Sequence, residues 1–174
     1  QLDANELVLK WPKDDHMHLL RIDATTGERR AQLTDGGWDV SRIVAVDEGK
    51  RVLFIANRDA VLDRALYAVK LAGGGSDRAA IVKLSSEGGV HAVHAQHKHG
   101  WIDIHSAADR PPKAEMFDVT GKKIGSIDVP RAADFAALKL RTPRMVTVHN
   151  DGKPDLFGQL LEPRNMQPGV RYPT

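Results

Sequence analysis

The sequence of 174 residues contains no cysteine. Disulfides, thiolate nucleophiles and cysteine-ligated metals are thereby excluded, while the compartment stays open, because exported proteins need not carry disulfides. Long apolar runs are missing too. The longest, such as "RIVAV" (42–46) and "VLFIA" (52–56), cover only a few residues, against the roughly 20 that a membrane-spanning helix requires, so no membrane segment is expected. Neither sign of charge dominates. Lys and Arg number 25 and Asp and Glu 23, a formal net charge of +2, with no long like-charge block, which argues against a nucleic-acid partner. The start, "QLDANELVL", lacks a cationic stretch followed by a long apolar region, so no signal peptide is visible. Hydrophobic residues make up 41% of the chain, enough to build a core.

What is present is a succession of short strand signals. They fall at 7–11, 18–23, 41–46, 51–57, 65–71, 80–84, 89–95, 101–106, 114–120 and 123–129. Most are rich in β-branched or aromatic residues and are punctuated by Gly, Asp, Asn and Pro, the pattern of antiparallel strands joined by tight turns.

These signals repeat. Leu7-Val8-Leu9 superposes on Val52-Leu53-Phe54 and on Trp101-Ile102-Asp103, while Leu19-Leu20-Arg21-Ile22 superposes on Leu66-Tyr67-Ala68-Val69 and on Met116-Phe117-Asp118-Val119. A Gly-containing turn follows each second member, at Thr26-Gly27, Gly73-Gly74-Gly75 and Thr120-Gly121. A period of ~40–50 residues with four short strands is the signature of a β-propeller blade. The predicted fold is therefore all-β: a partial β-propeller of about three four-stranded antiparallel blades, followed by a β-hairpin. A β-sandwich with accidental spacing is the competing reading. The first repeat has only the polar "QLDANE" where the others carry an additional strand, so its blade is expected to be incomplete. Three blades are fewer than the ~4–8 a ring needs. We therefore expect a piece of a larger protein whose apolar blade faces invite self-association. Residues 1–130 are assigned to blades and 131–143 to a linker with a short helix in "AADFAALK" (132–139), ended by Thr142-Pro143. Residues 144–174 are assigned to a hairpin turning at Asn150-Asp151-Gly152 that opens a new, truncated domain.

Several groups invite a chemical reading. His91, His94, His97 and His99 cluster in "HAVHAQHKH", but the strand period of two sends His91 and His97 to one side and His94 to the other, and "HKHG" occupies the expected hairpin turn. A structural zinc site wants four converging ligands, so no metal site is assigned. "GGWDV" contains a Trp-Asp dipeptide that precedes its strand, which makes Trp38 a packing residue and Asp39 a turn or strand-start residue. "AGGGS" (72–76) lacks the lysine of a phosphate loop and reads as a hairpin turn. Asp14-Asp15 in "WPKDDH" reads as a turn with a charged tip rather than a calcium pair.

Taken together, "LTDGGWDVSRIVAVDE", "RVLFIANRD", "LDRALYAVKLAGG", "DIHSAADRPPKAEMFDVTGKKI" and "VTVHNDGKPDLFGQLLEPRNMQPGVRYPT" resemble, in order, the late propeller blades of the dipeptidyl peptidase IV family of serine peptidases and the hinge into its α/β-hydrolase domain. The resemblance implies a larger, exported or periplasmic bacterial enzyme that removes N-terminal Xaa-Pro or Xaa-Ala dipeptides. It implies a propeller that gates access to a Ser-Asp-His triad, peptide substrates as partners, an acidic pair that holds the substrate amine, and no cofactor. Ser41, Ser76, Ser85, Ser86, Ser106 and Ser126 lack the G-x-S-x-G context of a nucleophile elbow. Glu6, Glu28, Glu48, Glu87, Glu115 and Glu162 are isolated, so the acidic pair is not here. No catalytic, cofactor or metal residue is assigned, and these residues alone are expected to be inactive. The alternative function is a non-enzymatic β-propeller scaffold with its partner site on loop tips.

Overall fold

The computed structural model describes residues 5–47, 50–71, 81–96, 99–127 and 132–172, with side chains from Phe135 onward in the last segment. It divides into two compact units, residues 1–107 with 112–130, and residues 108–111 with 131–174.

The larger unit is a series of antiparallel meanders. Strands β1 (Glu6–Lys13), β2 (His16–Asp23) and β3 (Arg29–Gln32) form a three-stranded sheet. Lys13 pairs with His16, so Asp14 and Asp15 alone make the β1–β2 turn, with φ of 50° and 64°. Two consecutive left-handed residues are the signature of a type I′ turn, which Asp tolerates and which matches strand twist. The pair is thus a turn, with Lys13 Nζ bridging the Asp14 and Asp35 carboxylates at 2.9 and 2.8 Å.

The second sheet runs in the order β4 (Val40–Asp47), β5 (Arg51–Ala56), β6 (Ala65–Lys70), β7 (Val82–Lys83). The third contains β8 (Val90–Gln96), β9 (Gly100–Ala107), β10 (Arg110–Phe117) and β11 (Lys123–Ile127), again with sequence neighbours paired. By this count β1 corresponds to β5 and β9, and the described residues of the first sheet supply no counterpart of β4 and β8.

The second sheet is buried on both faces, and its composition explains why. Val52, Phe54 and Ala56 of β5, with Ala65, Tyr67 and Val69 of β6, join Leu19, Leu33, Trp38 and Val40 in one cluster. Leu53, Ile55, Leu66 and Ala68, the intervening residues, join Val93 and Trp101 in another. Two near-continuous apolar strands therefore serve two cores, one toward each neighbouring sheet. Across the first runs an aromatic ladder: Trp38 stacks on Phe54 at 6.2 Å and Phe54 on Tyr67 at 5.7 Å between ring centroids. Trp38 also meets the edge of His18 at 5.2 Å. The Trp-Asp dipeptide thus supplies a packing residue ahead of β4.

Arginines tie sheet to sheet. Arg21 donates to the Leu71 carbonyl at 2.9 Å, Arg42 to the Val93 carbonyl and Arg51 to the Val119 carbonyl at 3.1 Å.

The superposition of the third repeat requires a correction. Bulges fall at Arg21/Ile22 and at Met116/Phe117. Asp23 and Asp118 cap equivalent turns, accepting the N–H groups of Thr25 and Thr26 in one and of Thr120 and Lys122 in the other. Gly27 and Gly121 follow at φ of 73° and 93°, where a Cβ is disfavoured. Asp23 therefore matches Asp118, two residues away from the alignment based on hydrophobicity. A slip of two leaves every side chain on the same face, so the apolar pattern could not detect it.

Two strand boundaries differ from expectation. β7 is only two residues long, a short edge strand. β10 starts at Arg110 and includes Pro111 and Pro112, which the sequence reading left outside the strand. Among the described residues, β11 pairs with Ala114–Phe117 of β10.

The smaller unit contains α1 (Ala132–Ala137) and the hairpin β12 (Arg144–Val148) with β13 (Leu156–Leu160). The helix stops before Thr142-Pro143, followed by Lys139 in a left-handed conformation with φ of 46°. Lys153 N–H closes the hairpin turn on the Asn150 carbonyl at 2.9 Å, with Gly152 at φ 71°. The "AGGGS" segment lies outside the described residues. Among the described residues no helix is long and apolar enough to cross a membrane.

Candidate functional site

Strand β9 reads Trp101-Ile102-Asp103-Ile104-His105, and its pattern of burial is inverted. Trp101, Asp103 and His105 are buried, whereas Ile102 and Ile104 are 38% and 40% exposed. Trp101 stacks on Phe117 of β10 at 5.5 Å, which fixes that face against the second core. The alternation carries Asp103 and His105 inward with it.

Burying ionisable groups is costly unless they find partners, and these do. His91 on β8, opposite His105 in the β8–β9 register, places Nδ1 2.7 Å from Asp103 Oδ2 and Nε2 3.1 Å from the Glu87 carbonyl. Its ring stacks on that of His105 at 5.0 Å. His105 Nε2 lies 3.4 Å from Glu115 Oε2, and Glu115 in turn pairs with Lys113 at 2.7 Å and with Lys123. Asp103 Oδ1 and His105 Nε2 make no hydrogen bond among the described residues. Hydrogen bonds from the two lysines hold the Glu115 carboxyl at about 2, far below its ordinary 4.5. Those from Arg30 and from the Thr26 and Thr25 N–H groups hold Asp23 at about 2 as well.

Both carboxyls are depressed on folding, so their contribution is complete above the ordinary carboxylate range and is lost as pH falls toward 2. Glu115→Gln is expected to shrink the fall in melting temperature between about pH 5 and about pH 2.5 relative to wild type. An unchanged acid slope in the variant would show that the pair with Lys113 and Lys123 does not form.

A second feature is a cleft of about 170 Å³ between the second and third sheets. Ala45, Leu53, Ala95, Trp101 and Val119 make its apolar walls, with Asp47 and Gln96 as polar groups. The Asp47 carboxylate is engaged by Arg51, which also reaches Val119.

The sequence histidines separate as the strand period requires. His91 is buried and His94 exposed, His99 is in the β8–β9 turn, and His97 lies outside the described residues. No group of three or more metal-ligating side chains with suitable geometry occurs among the described residues. Ser85, the buried one among the described serines, accepts the Leu66 N–H at 3.2 Å and so serves as a strand cap. Asp39 accepts the Met17 N–H at 2.9 Å, faces His16 Nδ1 at 3.3 Å, and donates its own N–H to Asn57 Oδ1, linking the first sheet to the second. Sequence reasoning missed Asp103, His105 and Glu115. The signal for Asp103 and His105 was the alternation in "WIDIH", where polar residues fall in phase with Trp101.

Successive antiparallel meanders, one of three described strands and two of four, packed face to face with the middle one buried on both sides, are blades of a β-propeller, here a partial one that is not closed. The family model for the dipeptidyl peptidase IV N-terminal region matches residues 2–112, and the chain belongs to that family. The fold is similar to the crystal structure of Porphyromonas gingivalis dipeptidyl peptidase 4, with a TM-score of 0.84 at 21% sequence identity. The similarity covers 99% of this chain and 24% of that one.

Proposed function

We propose that this chain is the non-catalytic propeller portion, with the first hairpin of the hydrolase domain, of a serine exopeptidase that releases N-terminal Xaa-Pro or Xaa-Ala dipeptides. Residues 1–130 are the blades that gate access of peptides to the active site, 131–143 the linker, and 144–174 the start of the hydrolase domain. The match of residues 2–112 to the family carries this reading, and the hairpin of β12 and β13 after the last blade supports it. The enzyme is exported or periplasmic and bacterial, and its Ser-Asp-His triad lies outside these residues. Its nucleophile sits on a strained G-x-S-x-G turn that supplies backbone donors to the oxyanion.

The chain of 174 residues is expected to leave a Gly-Pro chromogenic anilide intact. A longer polypeptide that continues through G-x-S-x-G, Asp and His is expected to cleave it, and to lose that activity when the elbow serine is replaced by alanine. Turnover by the rigorously purified short chain, or none by the long one, would defeat the proposal. In the second case a propeller scaffold acting through its loop tips becomes the better reading.

A further inference from the structure

His91 meets an acceptor on each side of its ring. Asp103 Oδ2 lies 2.7 Å from Nδ1 and the Glu87 carbonyl 3.1 Å from Nε2, and a carboxylate and a carbonyl can only accept. A neutral imidazole has one N–H and would set lone pair against lone pair at the other nitrogen. The two side chains are only 1% and 4% exposed, and an unmade bond in such a site bears the full cost of desolvation.

We propose that His91 is held as an imidazolium and works as a protonation latch at the junction of the second and third blades. Glu87 lies in the crossover between β7 and β8. The same junction is stitched by Arg64 N–H to the Gly89 carbonyl and by His91 N–H to the Arg64 carbonyl, both at 2.9 Å. Charged, His91 ties this crossover to β9; neutral, it surrenders one of its two side-chain bonds.

The charged surroundings fit that state. Asp103 on β9 is the direct counter-ion, and Lys83 on β7 opposes the charge. His105 stacks on the ring, backed by Glu115 with Lys113 and Lys123. Arg64 and Asp63 flank the crossover on the side of β6. Burial pushes the His91 pKa down, but the Asp103 hydrogen bond and charge and the Glu87 carbonyl outweigh it, leaving the pKa above the ordinary 6.5. A raised pKa contributes stability that is complete below the unfolded value and is lost as pH rises through the folded one. The latch therefore closes below the raised pKa and opens as pH rises through it.

Nitrogen-15 NMR of the histidine rings in the whole chain tests this directly. At pH 7 both His91 nitrogens are expected to show protonated shifts, with a titration midpoint above 6.5. Asp103→Asn should lower that midpoint, because burial then acts without the counter-ion. A non-protonated His91 nitrogen at pH 7 in the wild type overturns the proposal, and so does an unmoved midpoint in a folded Asp103→Asn variant. The wild-type spectrum decides the first point even where the variant does not fold.

Discussion

Phe54→Ala is expected to lower the unfolding free energy of the chain by about 3–5 kcal/mol, the cost of emptying a large buried aromatic site. Phe54 is fully buried and stands between Trp38 and Tyr67 in the ladder that joins the first and second sheets. Truncation removes both stacked contacts, each worth about 0.5–1.5 kcal/mol beyond its area, and opens a cavity that two hydrogen-bonded sheets cannot readily close. Total stabilities of about 5–15 kcal/mol leave little to spare for such a loss. Ile124→Ala, at a position 61% exposed, is the matched control and should stay within about 0.5 kcal/mol of wild type. Urea denaturation followed by tryptophan emission measures both. Equal midpoints for the two variants would show that the first core is not where the ladder places it.

The isolated chain is expected to self-associate, and the inverted pattern of β9 says through which surface. With Asp103 and His105 turned inward, Ile102 and Ile104 face out. Val90 and Ile127 of the same sheet are likewise 51% and 52% exposed. On the first sheet Leu7 is 51% exposed and Trp11 41%, with the Arg29 guanidinium 5.3 Å from the Trp11 ring. A blade ordinarily buries such faces against its neighbours. Apolar surface left in water costs about 25 cal/mol per Å², which association of copies recovers. Light scattering after size exclusion should show mass rising with concentration. Ile102→Lys combined with Ile104→Lys should return the chain to a monomer. A wild-type chain that stays monomeric at high concentration and melts cooperatively would mean that these faces need no cover.

Much of the fold was legible because its determinants are local. Alternating β-branched residues, the paired aspartates at Asp14 and Asp15, and the glycines at Gly27 and Gly121 act within a few residues of themselves, and they gave the strands and most turns in order. The slip of the third repeat was not legible, since moving a strand by two residues preserves its faces. Pro111 and Pro112 misled because a proline reads locally as a strand breaker, yet β10 starts at Arg110 and includes both. The histidine cluster was half readable. Its period separated His91 from His94, but nothing local says that one face of β8 is covered by the second sheet.

The sequence by itself determined the strands, their meander order, the repeat and the family resemblance, because each rests on residues close together in the chain or on a pattern that recurs along it. The tertiary structure alone decided that β5 and β6 feed two cores, that Arg21, Arg42 and Arg51 bridge sheets, and that His91, Asp103, His105 and Glu115 form one buried network. Those facts depend on which faces meet when β8, β9 and β10 pair and pack on the second sheet. Burial and partnership are properties of such surfaces, not of positions in a chain.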